Sequence, residues 1–194
     1  METQTYDYKK IGYPPGGILI WMIILVEILT FSIAIFVFLI QRGNALEVFN
    51  ESQVFLNKTL GTFNTAILVT SGFFMANALH KLKEGDNKKS SLWVVATIIM
   101  GIGFLVLKGI EYSQKIEHGL FMDYSQFYTY YWLLTGFHFI HVLVGVLILT
   151  YLLFKIKSGH YNKNNFFDVE TGGAFWHMCD LIWLFLFPVL YLLH

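Results

Sequence analysis

The chain has 194 residues, of which 56% are hydrophobic and 18% aromatic, while only 13% are charged and the formal net charge is zero. Charged residues make up about a quarter of an average soluble domain, so this deficit puts the chain in the membrane class. The charge balance leaves no case for nucleic acid as a partner, and the single cysteine, Cys179, excludes an internal disulfide.

Five apolar runs meet the length of roughly 20 residues that a bilayer span needs: 17–40, 60–79, 92–110, 128–154 and 172–193. Before them lies a polar N-terminus, 1–16, ending in Pro14-Pro15-Gly16, and 17–194 reads as a single five-helix domain. The first run has full span length and no small-residue cleavage site, so it reads as a retained helix and not a signal. The fourth is long enough to tilt or to project from the bilayer.

Basic residues set an orientation. Lys9, Lys10, Lys81, Lys83, Lys88, Lys89, Lys155, Lys157 and Lys163 fall on one side, against Arg42, Lys58, Lys108 and Lys115 on the other. The positive-inside bias then places the N-terminus in the cytoplasm and the C-terminus outside. The expectation is an all-α polytopic bundle of five transmembrane helices, N-in and C-out.

Small residues at helix-packing positions (Ser71, Gly72 and Ala76, then Gly101 and Gly103, then Gly136 and Gly145) predict close helix approach. More informative are the ionisable residues inside the spans, since each is costly in lipid unless paired or functional. Glu27 interrupts the first span. Ten residues beyond Gly17, at a rise of about 1.5 Å each, it lies roughly 15 Å deep. Such a carboxyl is either held protonated or hydrogen-bonded by burial, or it is a proton-handling group.

His138 and His141 share a face of the fourth span, His177 and Asp180 repeat the spacing on the fifth, and Glu111 with Tyr112 closes the third. Two readings compete for this set. Histidines on adjacent membrane helices can ligate haem or, with carboxylates, two metal ions. A di-metal bundle uses repeated Glu-x-x-His, however, and here Thr135 precedes His138 and Ala174 precedes His177 by three residues. The other reading is a buried hydrogen-bonded network of Glu111, His138, His141, His177 and Asp180 that fixes helix register. Lys108, three residues before Glu111, can form a same-face pair with it at the membrane edge, and is expected to snorkel to the interface with the pair contributing little. His80, His118 and His160 read as loop histidines, and His194 ends the chain. No span is broken mid-membrane and no inverted repeat is visible, which argues against a transporter.

Several segments in fixed order resemble subunit III of the haem–copper terminal oxidases. They are WMIILVEILTF with Glu27, NTAILVTSG at 64–72, KEGD at 83–86, Glu111-Tyr112, Thr135-Gly136-Phe137-His138 with His141-Val142, and WHMCDLIWLF at 176–185. The resemblance covers the chain from about residue 20 to its end. It implies a non-catalytic subunit with no haem or copper of its own, those centres belonging to partner subunits. It further implies direct packing on subunit I, association with subunit II and other oxidase subunits, and support of stability and proton uptake in aerobic respiration.

The same resemblance aligns Glu27 with the family's membrane-buried carboxylate and implies a bacterial plasma membrane location. Longer members carry two further helices and hold lipid in the cleft beside them. The form here is the five-helix one, so phospholipid binding in that cleft does not carry over without another subunit's wall. Quinol oxidases and a nitric-oxide-reductase-associated homologue share this five-helix form and stand as alternatives, because the electron-donor site that separates them lies on other subunits.

Overall fold

A computed structural model describes residues 14–193. They form six α-helices: α1 (Ile18–Asn44), α2 (Leu46–Gln53), α3 (Lys58–Glu84), α4 (Asn87–Glu117), α5 (Gln126–Lys157) and α6 (Phe167–Phe187). A π-helical turn, Pro188–Leu192, continues α6. Most of the N-terminal segment 1–16, with Lys9 and Lys10, lies outside the described residues, as does His194.

Five of these helices are long and apolar enough to cross a membrane. They outrun the apolar runs read from sequence. At about 1.5 Å per residue the 32 residues of α5 reach roughly 48 Å, against a hydrocarbon core of about 30 Å. The ends therefore project, and capping chemistry fixes them. Gly85, at φ +89°, closes α3 with its N–H on the Leu82 carbonyl, while the Asp86 N–H reaches back to Lys81. This is a Schellman closure, and a left-handed residue there favours glycine. Asp86 then caps α4 by accepting from the Lys89 N–H at 3.0 Å. KEGD is thus a one-step reversal between two spans. That backbone hydrogen bond, reinforced by the Lys89 ammonium, holds the Asp86 carboxyl below the usual range.

Helix α3 packs along α4, α4 along α5, α5 along α6, and α6 closes against α3, while α1 leans on α6 and α5 from outside. The difference between centre and periphery is large: 56% of the most apolar stretch of α6 is buried, against 17% in α1. Trp176 on α6 sits at the middle of the ring. A Cβ at Gly101 of α4 would lie 2.6 Å from its indole, and one at Gly145 of α5 would lie 2.8 Å from it. The indole N–H donates to Ser71 Oγ on α3 at 3.0 Å. One tryptophan therefore ties four helices, and two glycines make room for it. Gly103 and Gly136 do not act this way, because nothing lies within 4 Å of a side chain built there. Their positions face outward.

The two ends are tied separately. At one, Glu170 of α6 accepts from the Gly16 N–H at 3.1 Å and from Lys83 at 2.7 Å. The Asn87 amide there donates to the Tyr161 carbonyl. At the other, Gln53 donates to the Leu190 carbonyl, Ser52 and Ser125 pair at 3.0 Å, and Gln126 donates to Gln41. Helix α2, which the sequence reading missed, supplies Ser52 and Gln53 and buries Phe49 against Phe38 and Phe127.

Candidate functional site

The ionisable residues singled out from sequence do not form one network. They separate into three groups and one isolated ring.

The first group lies where α4, α5 and the turn after α6 meet. Lys108 and Glu111 are each 1% exposed and 3.0 Å apart. The ammonium also donates to Tyr191 at 2.7 Å and to Tyr131 at 3.3 Å, which uses all three of its donors. Both tyrosines pass a hydrogen bond on to Glu111 Oε1, at 2.7 Å from Tyr191 and 2.9 Å from Tyr131. The rings of Tyr112, Tyr131, Trp183 and Tyr191 stand 5.0–5.4 Å from the ammonium. Cation–π attraction adds to the charge pairing in this water-poor setting. Lys108 does not snorkel. Its helix runs on to Glu117, so the lysine lies over two turns inside the end and finds its counter-charge at depth.

The second group joins α1 to α5. Glu27 Oε2 lies 3.3 Å from His141 Nε2, with side chains 22% and 13% exposed. The contact is at ion-pair distance but is not aligned as a hydrogen bond. On its other side, His141 Nδ1 lies 2.8 Å from the Phe137 carbonyl, an acceptor, so Nδ1 carries the hydrogen. In a neutral ring Nε2 is then a bare acceptor facing the carboxyl. A carboxylate against a neutral imidazole would set lone pair against lone pair. Phe31 and Phe137 flank the imidazole at 5.7 Å and 4.6 Å.

The third group is on α6. His177 Nδ1 lies 3.6 Å from Asp180 Oδ2, beyond hydrogen-bond length, and the His177 side chain is 48% exposed. The interior placement expected for His177 is therefore corrected: its ring turns outward, and only Asp180 is buried. Gly72 of α3 allows this, since a Cβ there would collide with the Asp180 carboxylate. His138 is the isolated ring. It is fully buried, yet neither nitrogen has a hydrogen-bond partner. It stacks on Trp183 at 5.2 Å and meets the Phe104 ring edge-on at 5.8 Å. Its place in a cross-helix network is corrected as well, because its neighbours are aromatic rings. Asn64, also fully buried, has an unpartnered amide.

Sequence reasoning missed Tyr131, Tyr191 and Lys108 as members of the closed cluster. The spacing of Lys108 to Glu111 pointed to the ion pair, whereas tyrosines in a chain this aromatic carry no signal of their own. His80, read as a loop residue, stands on the last turn of α3 and pairs with Glu84 at 3.0 Å. Among the described residues, no three His, Cys, Asp or Glu side chains converge as a metal-ligand set.

The family model for cytochrome c oxidase subunit III matches residues 19–194. The chain belongs to that family. It is similar to cytochrome c oxidase subunit 3 of Drosophila melanogaster, at 35% identity over 128 residues, covering 66% of this chain and 48% of the relative. It is also similar to the subunit of the same name from the cyanobacterium Synechocystis, at 35% over 131 residues, 67% of this chain and 55% of the relative. The chain spans about half the length of these curated relatives. Every residue placed in the three groups above falls within the family match.

Proposed function

We propose that this chain is a non-catalytic subunit III of a proton-pumping haem–copper oxygen reductase, in the cytochrome c oxidase class. It lies as one five-helix domain, 17–194, in a bacterial plasma membrane with the segment 1–16 in the cytoplasm. Haem and copper belong to partner subunits. Subunit I is the direct partner, subunit II and other oxidase subunits share the complex, and membrane lipids surround it. The family match over 19–194 carries this reading.

The uneven burial of the helices supports it. Helix α1 exposes Leu19, Leu25, Val26, Leu29, Ile33 and Phe36 along most of its length. Lipid or a larger membrane partner must cover that face. The closed Lys108 cluster serves stability, since every charge in it is matched within the chain. Glu27 is the residue to serve proton supply: its carboxyl faces the His141 imidazole at 3.3 Å from the most exposed helix. His141 positions it. His177 and Asp180 tune the neighbouring face of α6, and His138 with Glu111 fills the core behind.

The test is co-purification on a tag at this chain. Mild detergent should bring down a complex with haem absorption bands, and harsh detergent should release the chain colourless. Purification alone and monodisperse under every mild condition would overturn the reading.

A further inference from the structure

Lys115 has no part in any group above. It stands one turn beyond Glu111 on α4 and is only 5% exposed, yet its ammonium has a single protein partner, the Phe55 carbonyl at 2.8 Å. Two of its three donors are unused. Among the described residues no carboxylate lies within ion-pair distance of it. Both Glu111 oxygens are taken by Lys108, Tyr131 and Tyr191. Glu51, Glu117 and Asp123, the acidic residues of the adjoining segments, are solvent-exposed. A cation so enclosed, whose nearest counter-charge Glu111 is already engaged by Lys108, is unfavourable unless something brings another.

Lys115 lines a pocket of about 420 Å³ together with Asn57, Gln114, His118 and Tyr124. Asn57 uses its side-chain oxygen to cap α3, accepting from the Leu60 N–H, which leaves its amide NH₂ to donate. Gln114 and His118 are exposed on the rim. The pocket thus gathers donors around a cation.

Its depth selects the ligand. It lies at the ends of three spans: the start of α3, the last turn of α4 and the loop entering α5. Exposed apolar side chains flank it on both loops, Val54 and Phe55 on one side and Phe121, Met122 and Tyr124 on the other. A cationic polar pocket with an apolar and aromatic collar at a span terminus matches the headgroup layer of a bilayer. We infer that Lys115, with Asn57, Gln114 and His118, forms a binding site for the phosphate of an anionic phospholipid. The site is separate from the α1 face and from the Glu27–His141 pair, and it does not depend on the identity of the partner subunits.

Native mass spectrometry of the full chain in its extracted complex tests this, with phosphatidylglycerol, phosphatidylcholine or inorganic phosphate added. Phosphatidylglycerol should be retained about fivefold over phosphatidylcholine, the ratio one basic residue near a bilayer gives. Lys115→Gln should abolish that preference, while Lys115→Arg and Lys88→Gln, the latter at the opposite end, should keep it. If Lys115→Gln does not accumulate, Gln114→Glu puts a negative charge on the exposed rim and should lower the preference equally. An unchanged preference in either variant overturns the site. Equal loss in Lys88→Gln would show diffuse surface attraction instead. Displacement of the lipid by inorganic phosphate would show a free-anion site and overturn the lipid assignment.

Discussion

Lys108 and Glu111 are each 1% exposed, and every charged atom of the pair is matched by the partner or by a tyrosine hydroxyl. Glu27 and His141, on the outer helix, are 22% and 13% exposed and meet at 3.3 Å without an aligned hydrogen bond. The first arrangement is closed: its charges are held by a ring of donors and acceptors buried in the packing of α4, α5 and the turn after α6. The second is open: a carboxyl and an imidazole face each other without an aligned hydrogen bond. A buried charge that is fully satisfied builds structure. A partly satisfied pair on the outer helix keeps the freedom to rearrange.

The closed cluster should give the largest effects. Lys108→Met strands Glu111 in an apolar core and should cost about 3–5 kcal/mol of stability, read by unfolding in detergent. The double variant Lys108→Met with Glu111→Leu should recover much of this, because both charges leave together. A double variant as unstable as the single would show that packing, and not the stranded charge, sets the loss. Tyr191→Phe removes one hydroxyl between two charges and should cost about 1.5–3 kcal/mol by the same assay.

Smaller effects are expected where partners are few. His177→Leu should cost about 1 kcal/mol, since Asp180 loses only a 3.6 Å neighbour. His138→Phe should change stability by under about 1 kcal/mol, since neither ring nitrogen has a partner to lose. A large loss at His138 would show that its nitrogens are engaged in the assembled protein.

The turn between α3 and α4 gives the smallest effect, and a pH signature. Because its hydrogen bonds depress the folded-state value of Asp86, that stabilisation is present above the unfolded value near 3.8 and is lost as pH falls through the lower folded one. Asp86→Ala should therefore lower the melting temperature at neutral pH, and the gap should close as pH falls through that window.

Much of the bundle was legible in the sequence because length and apolarity suffice for spans, and five long runs became five long helices. Helix α2 was not, since LEVFNESQ has no long apolar run and its order depends on Phe49 packing between α1 and α5. The polar residues were legible as exceptions but not in their pairing. Spacing gave the Lys108–Glu111 and His177–Asp180 contacts, which lie within one helix. It could not give Glu27 with His141, which depends on how α1 leans on α5, nor the outward turn of His177. The error at Lys108 came from ending the third span at residue 110, two turns early, which moved a central lysine to the membrane edge.

The most direct measurement is oxygen consumption against pH, and its decay during turnover, by the oxidase complex proposed for this chain, carrying Glu27→Gln. The substitution keeps the shape and removes the exchangeable proton. Normal assembly is expected, with most of the oxygen reduction retained and an altered pH dependence or a shorter working lifetime. A profile and lifetime identical to the unsubstituted complex would show that the open pair has no part in proton supply, and complete loss of oxygen reduction in a fully assembled complex would contradict its supporting role.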